Sequence, residues 1–346
     1  MSVTIRDVAK AAGVSASTVS RVLNQKGVIS EETCQRIYQA MRELKYVPND
    51  MARSFANGSA RTIAIVINVS DAQSFSNTFF NKTVFGIETA AHRMGYNLMI
   101  TNSSAGSDGL ASIERLIMSK KIDGIVFPVS LVRPDFLKTL EETRFPCVIL
   151  GRPDMDGIDS NWVDIANEQA GAMAARYMLK QGYRRIAFLS NGAHEVFNQD
   201  RIAGYRKELL LAEKYENDLI CHAESSLEEG KKAVTSLLSS RERPDAVICS
   251  DEKLALAAAR TAKAMGVLVP EEFGVLCFDN TPVTELAEPG ISSVDVDTFE
   301  LGRLAADNLI RQIEKPDVGA WHMQLSTHII ERDSTKRNVR AKEVSD

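Results

Sequence analysis

Ser17, Thr18, Ser20 and Arg21 place three short hydroxyls and a guanidinium within five residues. Such groups hydrogen-bond base edges and phosphates when one element presents them on an outer face. A second set is dispersed along the chain. Arg201 follows Asp200, Asp279 ends the apolar run Val275-Leu276-Cys277-Phe278, and Ser250-Asp251 follows another such run. A guanidinium can grip vicinal hydroxyls of a small ligand bidentately, and carboxylates accept from them. Arg201 has the alternative of a surface arginine at a helix entry, and Asp279 that of a loop cap. Trp162 opens a strand-like run, and its indole either stacks on a ring-shaped ligand or packs in a core. Phe79 and Phe80 open a helix, one expected toward a cleft and the other toward the core, while Asp71 and Arg152 sit at strand ends.

The first set needs a helix to present it. Ile5, Val8, Ala9 and Ala12 form one apolar stripe, and Val19, Val22 and Leu23 a second. Thr4 and Asp7 have capping-box spacing, and Gly13 suits the turn between the two helices. Two helices this short need a third to bury them. Cys34, Ile37, Met41 and Leu44, after a Ser30 cap, supply it. The result is a helix-turn-helix whose second helix enters a DNA major groove. A helical hairpin that merely solvates its Ser and Thr face is the alternative, and charge argues against it. Residues 1–62 carry nine Lys/Arg against five Asp/Glu, a net +4, within a chain of −5. A basic head on an acidic body is the footprint of a phosphate-facing segment.

A chain of 346 residues, 44% hydrophobic and 25% charged, has the composition of soluble globular proteins and room for a small domain plus a large one. Neither a membrane-length apolar run nor a signal peptide is evident, and a cytoplasmic protein is expected. Cys34, Cys147, Cys221, Cys249 and Cys277 are scattered and read as free thiols in a reducing compartment. The histidines lack metal-ligand spacing, so neither a metal nor a cofactor is expected. No dinucleotide fingerprint, phosphate loop or nucleophile elbow occurs, so a binding module is expected and not an enzyme.

Beyond residue 62, strand-like runs at 62–69, 97–101, 124–129, 147–150, 162–165, 185–190, 219–222, 246–250 and 274–278 alternate with helical stretches such as 82–94, 166–181, 200–213, 227–239, 253–264 and 299–313. This alternation predicts two doubly wound parallel-sheet lobes, with a ligand cleft at the strands' carboxyl ends. The expected organisation is a small all-α helix-turn-helix domain over 1–48, a hinge helix and linker over 49–61, and an α/β core over 62–333. Lobe one is expected at about 62–160 plus 292–322, lobe two at about 161–291 plus 323–333, and a disordered tail over 334–346. Pro48 ends the head, and the short hinge segment 51–57 is stable only when DNA or a symmetry mate packs on it.

Residues 3–24, the run Val28-Ile29-Ser30-Glu31-Glu32-Thr33, Leu44-Lys45-Tyr46-Val47-Pro48-Asn49 and Met51-Ala52-Arg53-Ser54-Phe55-Ala56 resemble the LacI/GalR family of bacterial transcription regulators. Gly151-Arg152-Pro153, Asp200-Arg201-Ile202-Ala203-Gly204-Tyr205, Cys249-Ser250-Asp251 and Phe278-Asp279-Asn280 extend the likeness into a periplasmic-binding-protein-like core. The resemblance implies DNA contacts at Thr4, Ser15, Ala16, Ser17, Thr18, Ser20, Arg21 and Asn24, and at the hinge residues Ala52, Arg53 and Phe55. Ala16 and Ser17 fall at the family's base-reading positions, and Arg21 is the strongest guanine reader. Phe55 stands where the family usually has a minor-groove leucine wedge; packing between paired hinge helices is its alternative. The same resemblance implies an effector site from Asp71, Phe79, Phe80, Arg152, Trp162, Arg201, Ser250, Asp251 and Asp279.

The expected protein is a homodimeric repressor on pseudopalindromic double-stranded operator DNA, modulated by a sugar. Asn77-x-Phe79-Phe80, Gly151-Arg152-Pro153 and Trp162-Val163-Asp164 look most like the maltose-type repressors, which makes an α-glucoside the first choice. A nucleobase co-repressor is an alternative, as is a phosphoprotein partner near residues 301–311, where basic residues are sparse. A cytoplasmic sugar-binding protein with an accessory helical head is the remaining one.

Overall fold

A computed structural model describes residues 3–23, 29–46, 59–67, 78–102, 107–154, 160–192, 194–216, 219–316 and 319–337. The chain divides into two compact units, Met1–Arg61 and Thr62–Asp346. In the first, α1 (Ile5–Ala12), α2 (Ala16–Leu23) and α3 (Glu31–Glu43) pack around Val8, Ala9, Ala12, Val19, Val22, Ile37 and Ala40. Thr4 donates both its backbone N–H (2.8 Å) and its hydroxyl (2.7 Å) to Asp7 at the start of α1. Gly13 adopts φ 65°, the left-handed geometry that a Cβ penalises, and closes the turn to α2. Val8, Val19 and Ile37 are fully enclosed. Burial of side chains of that size contributes about 1.5–3 kcal/mol each, enough to hold three short helices together.

Among the described residues, the second unit holds two six-stranded sheets. The first takes its strands in the order β11 (His322–Leu325), β5 (Trp162–Ile165), β4 (Cys147–Leu150), β3 (Gly124–Pro128), β1 (Thr62–Ile67), β2 (Asn97–Asn102). All its pairings are parallel. The second has the order β12 (His328–Ile330), β10 (Ser292–Asp295), β9 (Gly274–Phe278), β8 (Ala246–Cys249), β6 (Ile186–Ser190), β7 (Ile220–His222). Here only β12 runs antiparallel, against β10. The central strands are buried on both faces, which is why they read as unbroken apolar runs.

Helices α4 (Thr78–Arg93), α5 (Ser107–Met118), α6 (Pro134–Glu142) and α12 (Thr298–Glu314) belong to the first sheet's lobe. Helices α7 (Asn167–Lys180), α8 (Val196–Leu211), α9 (Leu227–Ser239), α10 (Glu252–Ala264) and the short α11 (Pro282–Leu286) belong to the second.

The chain passes between lobes three times: after β5, between β10 and α12, and between β11 and β12. These positions correct the sequence-based lobe limits. The polar run 156–160, taken as the boundary, separates β4 and β5, which pair within one sheet. The passage instead lies between Ile165 and Asn167, where β5 leads straight into α7 without a polar linker to mark it. Strand β10, assigned to lobe one, pairs with β9 in lobe two, and Met323–Leu325 pair with β5 in lobe one. The expected tail from residue 334 also begins too early. Ser334 and Thr335 are fully buried, and Arg337 stacks over the Tyr183 ring at 3.9 Å.

Candidate functional site

In the first unit, Ser15 is the cap of α2: its hydroxyl accepts from Thr18 N–H at 3.1 Å and lies 2.7 Å from Ser17 Oγ. Ser17 and Arg21 are exposed, and Thr18 and Ser20 are half-buried. Hydroxyls and a guanidinium therefore share α2, as groove reading requires. Ala16 packs partly against the helical core, which leaves little of it for a base edge. Thr4 is exposed at the start of α1 and donates to Asp7 there. Asn24, Ala52, Arg53, Phe55 and Asp71 lie outside the described residues.

In the second unit, Arg201 is the centre of the site. It lies inside α8, one turn past the entry expected for it, because α8 starts at Val196. The side chain is 4% exposed, with its guanidinium 4.2 Å above the Phe278 ring. Nε donates to Asn167 Oδ1 at 2.9 Å, and Nη1 donates to the Ser250 carbonyl at 3.4 Å. Burial draws its pKa down, while Asp279 and Asp164 oppose that shift. The close packing of α7 on α8 makes this reach possible. A Cβ at Gly171 would overlap the Arg201 carbonyl, and one at Gly204 would overlap that of Glu168.

Asn167 passes the contact onward, its amide donating to Asp164 Oδ1 at 3.2 Å and Oδ2 at 3.3 Å. Asp164 also accepts from Ile165 N–H at 2.7 Å and Arg152 N–H at 2.9 Å. Burial pushes the Asp164 carboxyl up, and these two backbone bonds and Arg201 hold it back. Arg152 makes a two-oxygen pair with Asp200 of α8, both at 2.8 Å, which ties lobe one to lobe two. Its Nη2 is thus occupied by protein.

Asp279 sits at the carboxyl end of β9 with φ 74°. Its Oδ1 is enclosed and has no hydrogen-bond partner among the described residues. Burial pushes its pKa up to about 6; Arg201 pulls it down, and Glu252, Asp251 and Asp295 add to the rise. Ser250 and Asp251 reach the same corner in structural roles. Ser250 Oγ accepts from Asn191 N–H at 2.7 Å, and Asp251 Oδ1 caps α10 through Lys253 N–H and Leu254 N–H.

Trp162 does not join the group. It stacks on His322 with ring centroids 4.8 Å apart and packs against the core around Phe127 and Phe136. It opens β5, whereas the cleft residues stand at strand carboxyl ends, so core packing accounts for it. Phe79 and Phe80 both pack partly against the core around Ile63 and Ile87, so neither takes the open cleft position alone. Sequence reasoning missed Asp164, Asn167 and Asn198 as site residues. A carboxylate inside the apolar run Trp162-Val163-Asp164-Ile165 was the available signal for the first.

A family model for lacI-family bacterial regulatory proteins matches residues 4–49, and one for a periplasmic binding protein-like domain matches residues 175–335. The HTH-type transcriptional regulator MalR of Streptococcus pneumoniae is 34% identical over 338 residues, covering 96% of this chain and all of the relative. The chain belongs to the lacI family. CelR of Thermobifida fusca, another HTH-type transcriptional regulator, is 32% identical over 337 residues, covering 96% of this chain and 98% of its own. A solved CelR–cellobiose complex superposes with a TM-score of 0.72 at 30% identity, over 96% of this chain and 99% of that one. An operator-bound lac repressor dimer, 23% identical, shares the fold with a TM-score of 0.82. As a lacI-family member the chain is a DNA-binding transcription regulator, and the expected fold class holds. No helix among the described residues is long and apolar enough to cross a membrane.

Proposed function

We propose that this regulator is a homodimeric repressor whose hold on operator DNA is set by a sugar bound between the lobes of its second unit. The observation that carries the effector reading is a buried guanidinium together with an enclosed carboxylate oxygen that has no hydrogen-bond partner among the described residues. Arg201 and Asp279 Oδ1 provide it, where the strands' carboxyl ends meet. Sugar hydroxyls can donate to one and accept from the other. Two heads on one operator would read the half-sites of a pseudopalindrome, with α2 in the major groove and Phe55 wedging the minor groove between them.

The ligand acts only by its difference in affinity for the two lobe arrangements, so it must contact both lobes or the joint between them. Asn167 and Asp164 supply that link at the first crossing. The likeness to maltose-type repressors makes maltose or another α-glucoside the first choice. Cellobiose is the second reading, because the similar CelR has been solved with it.

Titration of maltose, cellobiose and related sugars into the regulator bound to DNA from its own genomic neighbourhood tests the reading. A sugar should change operator affinity by at least tenfold, and Arg201→Ala should bind the operator yet ignore the sugar. An Arg201→Ala variant with the wild-type sugar response would sink the cleft assignment.

A further inference from the structure

The lobe-two side of the cleft is short of hydrogen-bond donors. Asp251, Glu252 and Asp279 follow the neighbouring strands β8 and β9, and each keeps one enclosed oxygen without a hydrogen-bond partner among the described residues. The parallel register pairs Cys249 with Cys277, so Asp251 and Asp279 each lie two residues beyond that pair on adjacent strands, with Glu252 next in the chain. An independent sign comes from Asn198 in α8. It is fully buried, its amide donates to Asn191 Oδ1 at 3.0 Å, and Asn191 receives Ser250 Oγ at 2.9 Å beside Asp251. Asn198 Oδ1 is again an enclosed acceptor with no partner.

The nearby cations do not offset this imbalance. Arg201 commits Nε to Asn167 and Nη1 to Ser250, and Arg152 is held by Asp200. Enclosed acceptors of this kind are satisfied by a ligand that brings donors, and a ligand that brings negative charge meets three carboxylates in a poorly solvated corner. A phosphate or carboxylate group would meet in Arg201 a guanidinium already partly committed to Asn167 and Ser250.

We propose that the effector carries no negative charge, that its hydroxyl or ammonium donors face Asp251, Glu252 and Asp279, and that phosphorylated and carboxylated sugars are rejected. This rests on the reading of the cleft as the effector site and adds the charge class of the ligand. Glu252 becomes a specificity-determining residue, since its orphaned oxygen has no capping task comparable to that of Asp251 Oδ1.

Isothermal titration of the full-length protein with a panel of neutral mono- and disaccharides, glucosamine, and the corresponding sugar phosphates and uronic acids tests it. The tightest binder should be neutral or cationic, and its phosphate or acid counterpart at least tenfold weaker. Glu252→Gln should narrow that ratio several-fold while the protein melts cooperatively and still binds operator DNA. A phosphate or acid that binds as tightly as its neutral parent overturns the inference and leaves the effector reading standing. A ratio unchanged in Glu252→Gln overturns the role of Glu252. Absence of binding by any sugar, charged or not, overturns the effector reading and this proposal with it.

Discussion

Replacing Asp279 by Asn should stabilise the protein at neutral pH while removing its response to sugar. The carboxyl is raised from 3.8 to about 6 by burial and by Glu252, Asp251 and Asp295, against the pull of Arg201. Below pH 3.8 it is protonated whether the chain is folded or not, so it costs nothing. Between 3.8 and about 6 the folded chain holds more protons than the unfolded one, and stability falls as pH rises. Above about 6 the cost is complete, and the shift of two pH units or so corresponds to about 3 kcal/mol.

Asparagine keeps the shape, tolerates the φ of 74°, and carries no charge, so it removes this cost. Scaled by the unfolding entropy of a unit of this size, the gain is roughly 5 °C in Tm. Differential scanning calorimetry of wild type and variant at pH 7.5 and 4.5 reads it. The variant should melt higher at pH 7.5, and the gap should close toward pH 4.5. A variant that melts lower at pH 7.5, or a gap equal at both pH values, would refute the reasoning.

Gly171→Ala should push α7 off α8, costing about 1–3 kcal/mol in thermal melts and weakening sugar binding more than operator binding, because the Arg201 carbonyl occupies the Cβ position. Ser15→Ala removes the cap of α2 and should cost the helix-turn-helix unit about 1 kcal/mol, seen as a weaker, still salt-sensitive operator affinity in fluorescence anisotropy. Arg152→Ala breaks the pair with Asp200, whose side chains are 37% and 26% exposed. It should lower stability by less than about 1 kcal/mol while shifting the sugar concentration of half-release. Trp162→Phe should lower Tm through lost packing and leave the sugar affinity within twofold by titration calorimetry, since its ring faces His322 and the core.

The sequence yielded the helix-turn-helix almost whole. Its stripes, its Thr4–Asp7 cap and its Gly13 turn are local, and local periodicity survives in a small unit with a single core. The buried strands of the second unit were legible for the same reason. Lobe membership was not, because it depends on which strands pair, and β5 passes from one lobe's sheet to the other lobe's helix with no change in composition. Helices α5, α6 and α11 were absent from the expectation, and α11 is only five residues long. At the cleft, strand and helix ends single out Arg201 and Asp279 as candidates, but what Arg201 touches is invisible in the sequence. Its partner Asn167 is 34 residues away, and polar side chains become ligands of one another only through the contact of α7 with α8. Trp162 misled because an aromatic at a strand's beginning and one at its end look alike until the strand's direction is set.

The run from Asp164 to Asn167 is at once the end of a strand, the joint between two lobes and the anchor of the arginine proposed to grip the ligand. The sensor therefore needs no transmission line, since its detector is bolted to its own pivot. Glu252 stands apart from that pivot on lobe two, where it can be exchanged like the tooth of a key without refitting the lock. A lineage that kept the Asp164–Asn167–Arg201 chain and varied Glu252 would retain the switch while changing what turns it. Substitutions at Asn167 would instead loosen Arg201 and weaken ligand binding and the response to it together.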